Sequence, residues 1–113
     1  MRIALPFYLG LTLLLAATAG RSDVPDTAVW IDVRSGLEYA MGHLPQATRI
    51  HYEEIEEGVA ELNLDKDAHI YLYCAVGGRA NIAKERLEAI GYTNVTNAGS
   101  LESARAMAQP SGQ

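Results

Sequence analysis

Hydrophobic and polar positions follow two rhythms along this chain. Ala28 to Val33 (AVWIDV) is a short, nearly continuous apolar run rich in β-branched and aromatic residues, the pattern of a strand buried in a parallel sheet. Ser35-Gly36-Leu37-Glu38 then matches a capping box, in which the serine oxygen accepts from a backbone N–H and the glutamate reaches back to the cap. A short helix to about Met41 is therefore predicted, followed by a turn over Gly42 to Pro45 and a second short strand over Thr48 to His51. From Glu53 to Leu62, Ile55, Val59 and Leu62 recur at i, i+4 and i+7, which gives one apolar helical stripe. Glu53, Glu54, Glu56 and Glu57 crowd its first turns, where the helix dipole favours carboxylates. They read as a solvated helix start and not as a metal site.

The rhythm then repeats. His69 to Tyr73 (HIYLY) predicts a strand that runs directly into Cys74. After the loop Ala75 to Gly78, a helix is predicted over Arg79 to Ile90, with Ala83, Leu87 and Ile90 on one face and Gly91 as the residue that ends it. Val95 marks a last short strand, Leu101 to Ala108 a final helix, and residues 109–113 a frayed tail. Strands alternating with helices imply a parallel sheet covered on both faces, an α/β domain. Trp30, Tyr71 and Tyr73 fall in the predicted strands and read as core.

Composition narrows the functional classes. The chain has 113 residues, with nine Lys and Arg against 14 Asp and Glu, a net charge of −5. That length suits one domain, and the acidic balance offers no broad footprint for nucleic acid. Met1 to Gly20 changes the count further. Arg2 precedes an apolar stretch from Ile3 to Ala17, and Ala17-Thr18-Ala19 is a small-x-small cleavage site, so residues 1–19 read as a secretory signal peptide. The stretch is 15 residues long and interrupted by Pro6 and Gly10, short of the roughly 20 that a membrane span requires. Cleavage after Ala19 leaves 94 residues carrying eight basic and 14 acidic side chains, a net charge of −6. A polar linker over 20–27, a domain over 28–108 and no membrane association after cleavage are expected, with a periplasmic location.

One cysteine stands out against that background. Exported proteins use cysteines in pairs, and a lone thiol in an oxidising compartment is open to intermolecular disulfides and over-oxidation. Cys74 is the sole cysteine, and it lies at the carboxyl end of a predicted parallel strand, where α/β sheets place their ligands. The glycines of Cys74-Ala75-Val76-Gly77-Gly78-Arg79 allow the loop to curl with its N–H groups inward, and the next helix adds its positive end. Such a cradle stabilises an anion, thiolate included, and makes the sulfur a nucleophile. Arg79 is unfavourable beside a helix N-terminus unless an anion is close. A functional thiol thus outweighs the alternative of a small buried apolar side chain.

These residues resemble the rhodanese family, the single-domain sulfurtransferases, and among them the small exported bacterial members. The resemblance spans about Ala28 to Leu101 and rests on Asp32-Val33-Arg34, Glu38-Tyr39, Gly42-His43-Leu44-Pro45-Gln46-Ala47, the Cys-x-x-Gly-x-Arg loop from Cys74 to Arg79, Gly91-Tyr92 and Asn97-Ala98-Gly99. It implies a three-layer α/β/α domain with a small central parallel sheet, and sulfur transfer through a cysteine persulfide from a small anionic donor such as thiosulfate to a thiophilic acceptor such as cyanide or a thiol. Carried onto this chain, Cys74 is the nucleophile, the N–H groups of Ala75, Val76, Gly77, Gly78 and Arg79 hold the persulfide, and Arg79 orients the donor oxyanion. No metal or organic cofactor is required, and a protein sulfur acceptor is one of the partners the resemblance admits. Related phosphatase and arsenate-reducing domains carry one more residue between Cys and Arg; the four here match the sulfurtransferase length.

Two departures bear on substrate. The family often has Arg directly after the Cys and Ser or Thr after the closing Arg, where this chain has Ala75 and Ala80; the substitution favours a less charged or more hydrophobic donor. The aromatic residue that follows the last glycine motif is also absent. Asp32, Arg34 and Glu38 are expected to form a salt-bridged support for the first strand–helix corner, and His43 to fix the turn. His51 and His69 share no metal-ligand spacing with each other or with Cys74. Against the sulfurtransferase reading stands a catalytically weak rhodanese-like module that binds, carries sulfur or senses stress. A thiol-redox protein is a third class, but the chain has no second cysteine to resolve a mixed disulfide.

Overall fold

The computed structural model describes residues 23–109. The expected signal peptide at 1–19, the start of the linker and residues 110–113 lie outside the described residues. Four parallel strands form one sheet in the order β2-β1-β3-β4: β1 Val29–Asp32, β2 Thr48–Arg49, β3 Ile70–Cys74 and β4 Val95–Ser100. The helices are α1 Gly36–Ala40, α2 Ile55–Glu61, α3 Gly78–Ala89 and α4 Leu101–Ala108, with a 3-10 turn at Tyr52–Glu54 leading into α2. Among the described residues, no helix is long and apolar enough to cross a membrane.

Strand alternation sorts the core into two layers. Ile31, Val33, Ile70, Leu72 and Cys74 point to one face, where Ile55 and Val59 of α2 and Ala80, Ala83 and Leu87 of α3 cover them. Trp30, Tyr73 and Ala98 point to the other and pack with Leu44, Ala47 and Ala104 of α4. Successive side chains on a strand face opposite ways, so apolar runs such as IYLYC feed both layers. The three-layer α/β/α arrangement expected from the sequence is therefore the observed one. Tyr73 is wholly buried, whereas Tyr71 is only partly so and stacks on Trp30 with ring centroids 4.8 Å apart.

The elements differ from the sequence reading at their margins. The second strand is two residues, not four, and lies at the sheet edge, where short strands present few unpaired backbone groups. Its apolar neighbour Ile50 leaves the ladder and enters the core beside Gly58. Helix α3 buries Ala80 as well as Ala83 and Leu87, while Ile90 caps its end and stays half exposed. The last strand is six residues long although it reads VTNAGS, because pairing with β3 from Ile70↔Val95 to Cys74↔Ser100 holds it extended.

A buried ion pair sits where β1 ends. Asp32 is fully buried and accepts from the Arg34 backbone N–H at 3.0 Å, from Arg34 Nε at 2.9 Å and from Arg34 Nη2 at 2.7 Å. Arg34 Nη2 also donates to the Gly42 carbonyl at 2.7 Å, and its guanidinium lies 5.5 Å from the Tyr73 ring centroid. Tyr73 Oη accepts from the Leu44 N–H at 3.1 Å, and burial pushes the Tyr73 phenol up to about 12. The pair thus ties β1, β3 and the 42–44 turn together. Removing one member of such a pair strands a buried charge, at about 3–5 kcal/mol. Asp32→Ala should lose about that much stability in urea denaturation; a loss below about 1 kcal/mol would mean that Arg34 finds water instead.

Candidate active site

Strand β3 ends at Cys74, the sulfur-bearing residue, with only 1% of its surface exposed. The chain must then reverse direction to start α3 at Gly78. Gly77 makes the turn with φ of +103°, a region that costs a side-chain-bearing residue energy but not glycine. Its N–H donates to Cys74 Sγ at 3.0 Å, and the Ala80 N–H approaches the same sulfur at 3.4 Å. Sγ therefore sits at the amino end of α3 with two backbone dipoles directed at it. The two dipoles set partial positive charge against the sulfur.

The loop is braced from β4. Asn97 Nδ2 donates to the Gly77 carbonyl at 2.9 Å, and Asn97 Oδ1 accepts from the Gly99 N–H at 2.9 Å. The Gly77 carbonyl also accepts the Asn81 N–H at 3.0 Å. With its carbonyl committed outward, Gly77 turns its N–H toward the sulfur. Ala75, Val76 and Gly78 lie at the surface of the loop, Val76 being 87% exposed.

Arg79 is engaged by a carboxylate. Its Nη1 lies 2.8 Å from Glu38 Oε1 and its Nη2 3.0 Å from Glu38 Oε2, a bidentate bridge between residues 41 positions apart. The sequence reading directed this guanidinium at a donor oxyanion and grouped Glu38 with Asp32 and Arg34. The structure corrects that grouping: Asp32 and Arg34 pair with each other, and Glu38 crosses to the cysteine loop. The reason lies in α1. The Glu38 N–H bonds Ser35 Oγ at 3.2 Å and Glu38 Oε1 accepts the Ser35 N–H at 3.0 Å, so the capping box fixes the carboxylate on the side of the helix that meets the loop. The anion that Arg79 requires beside a helix N-terminus is thus supplied within the fold.

His43 lies outside this constellation. Its Nδ1 donates to the Tyr39 carbonyl at 2.7 Å and its ring stacks on Tyr39 at 3.5 Å, while Tyr39 Oη donates to the Ala47 carbonyl at 3.0 Å. These contacts pin the turn after α1. Among the described residues, no three His, Cys, Asp or Glu side chains cluster in a way that would hold a metal ion.

Sequence reasoning missed two parts of the site. The Ala80 N–H lies one position beyond the loop that the Cys-to-Arg spacing delimits. Asn97 was legible only as a motif residue; an asparagine at the centre of a strand, where it is disfavoured, was the available signal of a special hydrogen bond.

A family model described as the rhodanese-like domain matches residues 16–103. The chain is 40% identical over 73 residues to the thiosulfate sulfurtransferase PspE of Escherichia coli, covering 65% of this chain and 70% of that protein. It is also 34% identical over 84 residues to the tRNA uridine(34) hydroxylase of Erwinia tasmaniensis, but spans only 24% of that longer protein. Among solved structures, a rhodanese with anions from Escherichia coli superposes with a TM-score of 0.64 at 38% identity, covering 67% of this chain and 89% of the other. The human single-domain sulfurtransferase TSTD1 shares the fold, with a TM-score of 0.61 at 24% identity, covering 89% of this chain and 94% of its own.

The bridge makes a pH-dependent prediction. The Arg79 guanidinium, aided by the Ser35 amide, holds the Glu38 carboxyl down to about 2, against an ordinary value of 4.5. A carboxylate lowered on folding adds stability above its unfolded value, and that stability is lost as pH falls through the folded one. The Tm difference between wild type and Glu38→Gln should be constant above pH 4.5 and should close toward pH 2. The Glu38 side chain is 34% exposed, so solvent screening keeps the gap to about 1 kcal/mol. A gap that persists unchanged at pH 2 would show that the carboxylate is not its source.

Proposed function

The chain belongs to the rhodanese family, and from that premise we propose that it is an exported sulfurtransferase working through a Cys74 persulfide. The observation that carries the reading is the pair of backbone N–H groups, from Gly77 and Ala80, on the sulfur of a cysteine at the amino end of a helix. Nucleophile activation needs such local stabilisation of the thiolate, and no second side chain acting as a base is required for it. The mature chain, beginning near Gly20, works in the periplasm.

In the first step Cys74 Sγ attacks the outer sulfur of a donor such as thiosulfate. A new S–S bond forms, the donor S–S bond breaks, and its electron pair leaves with sulfite. The loop N–H groups from Ala75 to Arg79, together with that of Ala80, hold the terminal persulfide sulfur, which carries the negative charge. In the second step a thiophilic acceptor attacks that terminal sulfur and the pair returns to Cys74: cyanide becomes thiocyanate, and a thiol becomes a persulfide. An acceptor thiol on another protein fits the same step. The chemistry needs neither a metal nor an organic cofactor.

Intact-mass measurement of the mature protein with thiosulfate, followed by cyanide, tests this. The expected result is a gain of one sulfur, about 32 Da for a persulfide formed at the nucleophile, lost on cyanide addition with formation of thiocyanate. Cys74→Ser should give no adduct while its Tm stays within a few degrees of wild type, because the hydroxyl oxygen can accept the same N–H groups. No adduct on wild type from thiosulfate or from a polysulfide would replace this reading with that of a binding or stress-sensing module, to which the apolar positions Ala75 and Ala80 would then belong. A large stability loss in Cys74→Ser would assign the cysteine to the core.

A further inference from the structure

The β3–β4 ladder is irregular at one place, and that place is beside the cysteine. From Leu72 to Cys74 strand β3 advances two residues, while its partner β4 advances three, from Asn97 to Ser100. The additional residue makes a bulge, and Gly99 within it has φ of +83°. Bulges concentrate next to active sites, where they re-aim a side chain or end a pairing. The side chain at this bulge is Asn97, in register with Leu72, and its Nδ2 reaches the Gly77 carbonyl at 2.9 Å.

Both ends of that amide are fixed. The Gly99 N–H donates to Asn97 Oδ1 at 2.9 Å, which leaves Nδ2 as the end that meets Gly77. The bulged backbone also closes on the loop, since a Cβ on Gly77 would stand 3.6 Å from Gly99 Cα. Glycine has wide conformational freedom, so its own chemistry does not hold Gly77 at φ of +103°. Two bonds to its carbonyl do so. The bond from the Asn81 N–H is the first turn of α3, which any helix start provides. The bond from Asn97 comes from another strand, and it steadies the residue whose N–H lies 3.0 Å from Cys74 Sγ.

Resting on the sulfurtransferase reading, we propose that Asn97 is a positioning residue for sulfur transfer: by holding the Gly77 carbonyl it keeps the Gly77 N–H on Cys74 Sγ in both half-reactions. In the first, Sγ attacks the outer sulfur of the donor and gives up its charge as sulfite leaves with the electron pair of the broken S–S bond. In the second, the acceptor takes the terminal sulfur and the electron pair returns to Sγ. A donor held in place where charge develops lowers the barrier because it need not reorganise at the moment of reaction. Asn97 acts through Gly77 and not on either substrate, so it governs the rates of the two steps and not the concentrations at which the substrates saturate.

The test is single-turnover loading of the mature protein by thiosulfate and its discharge by cyanide, each followed by intact mass over a range of substrate concentration. Asn97→Ala and Asn97→Asp should each lower the limiting rates of both steps by on the order of tenfold, a donor being loosened and not removed. The half-saturating concentrations should stay near those of wild type. Asn97→Asp keeps an oxygen for the Gly99 N–H but has no donor for Gly77, so it isolates the bond in question and serves if Asn97→Ala does not fold. Val95→Ala, a buried position at the opposite end of β4, should lower Tm without lowering either rate. In amide NMR spectra the Gly77 proton should move when Cys74→Ala removes its acceptor, and in Asn97→Asp it should already lie near that displaced position. Wild-type limiting rates in a folded Asn97 variant would overturn the inference, as would a loss confined to the half-saturating concentrations or matched by Val95→Ala. Failure of wild type to load from thiosulfate or from a polysulfide would instead overturn the sulfurtransferase reading.

Discussion

A sulfur atom with almost no access to water can hold negative charge only if the protein supplies what water would. Here the supply is the N–H of Gly77 and that of Ala80, and most other features of the domain follow from keeping those two groups in place. The Gly77 N–H faces Sγ because its φ is positive and its carbonyl is bound from the other side by Asn97 and Asn81. Asn97 is in position because β4 pairs with β3 up to Cys74 itself. The Ala80 N–H is one of the first donors of a helix, which have no partner within it. The site is in this sense a consequence of a strand, a left-handed glycine and a helix start in close succession.

The two strand–helix corners at this end of the sheet use charge in opposite ways. At the first, Asp32 and Arg34 are buried and hydrogen bonded to each other, and their role is to lock β1 to β3 and to the turn that carries His43. At the second, Glu38 and Arg79 are about a third exposed. Pairing there contributes modest stability, and its larger consequence is electrostatic, since it removes the one fixed cation that the loop would show an incoming anion. Helix α1 buries none of its own residues; it presents one carboxylate to the loop and Leu37 to solvent.

Periodicity, caps and glycines made the elements readable. The apolar runs around Ile31 and Leu72, the Ser35 capping box and the Cys74 to Arg79 spacing are local patterns, and the structure forms each where the pattern lies. What local pattern handled poorly is instructive. VTNAGS has neither strand alternation nor an apolar run, and it is extended because β3 pairs with it. Ile90 completes a helical stripe yet remains half exposed, because the helix ends one residue earlier and Ile90 is its C-cap.

The chain's own order of residues determined the α/β alternation, the buried strands, the placement of the lone thiol at a strand end and the glycines that let the next turn curl around it. All of these depend on contacts within a few residues, and such contacts are written in spacing. The partners of the charged groups were decided elsewhere. Glu38 joins Arg79 across 41 positions and Asn97 reaches Gly77 across 20, distances at which no spacing rule operates. Side chains that far apart meet only after the sheet has set its strand order and register, and so the electrostatic character of the site belongs to the tertiary structure.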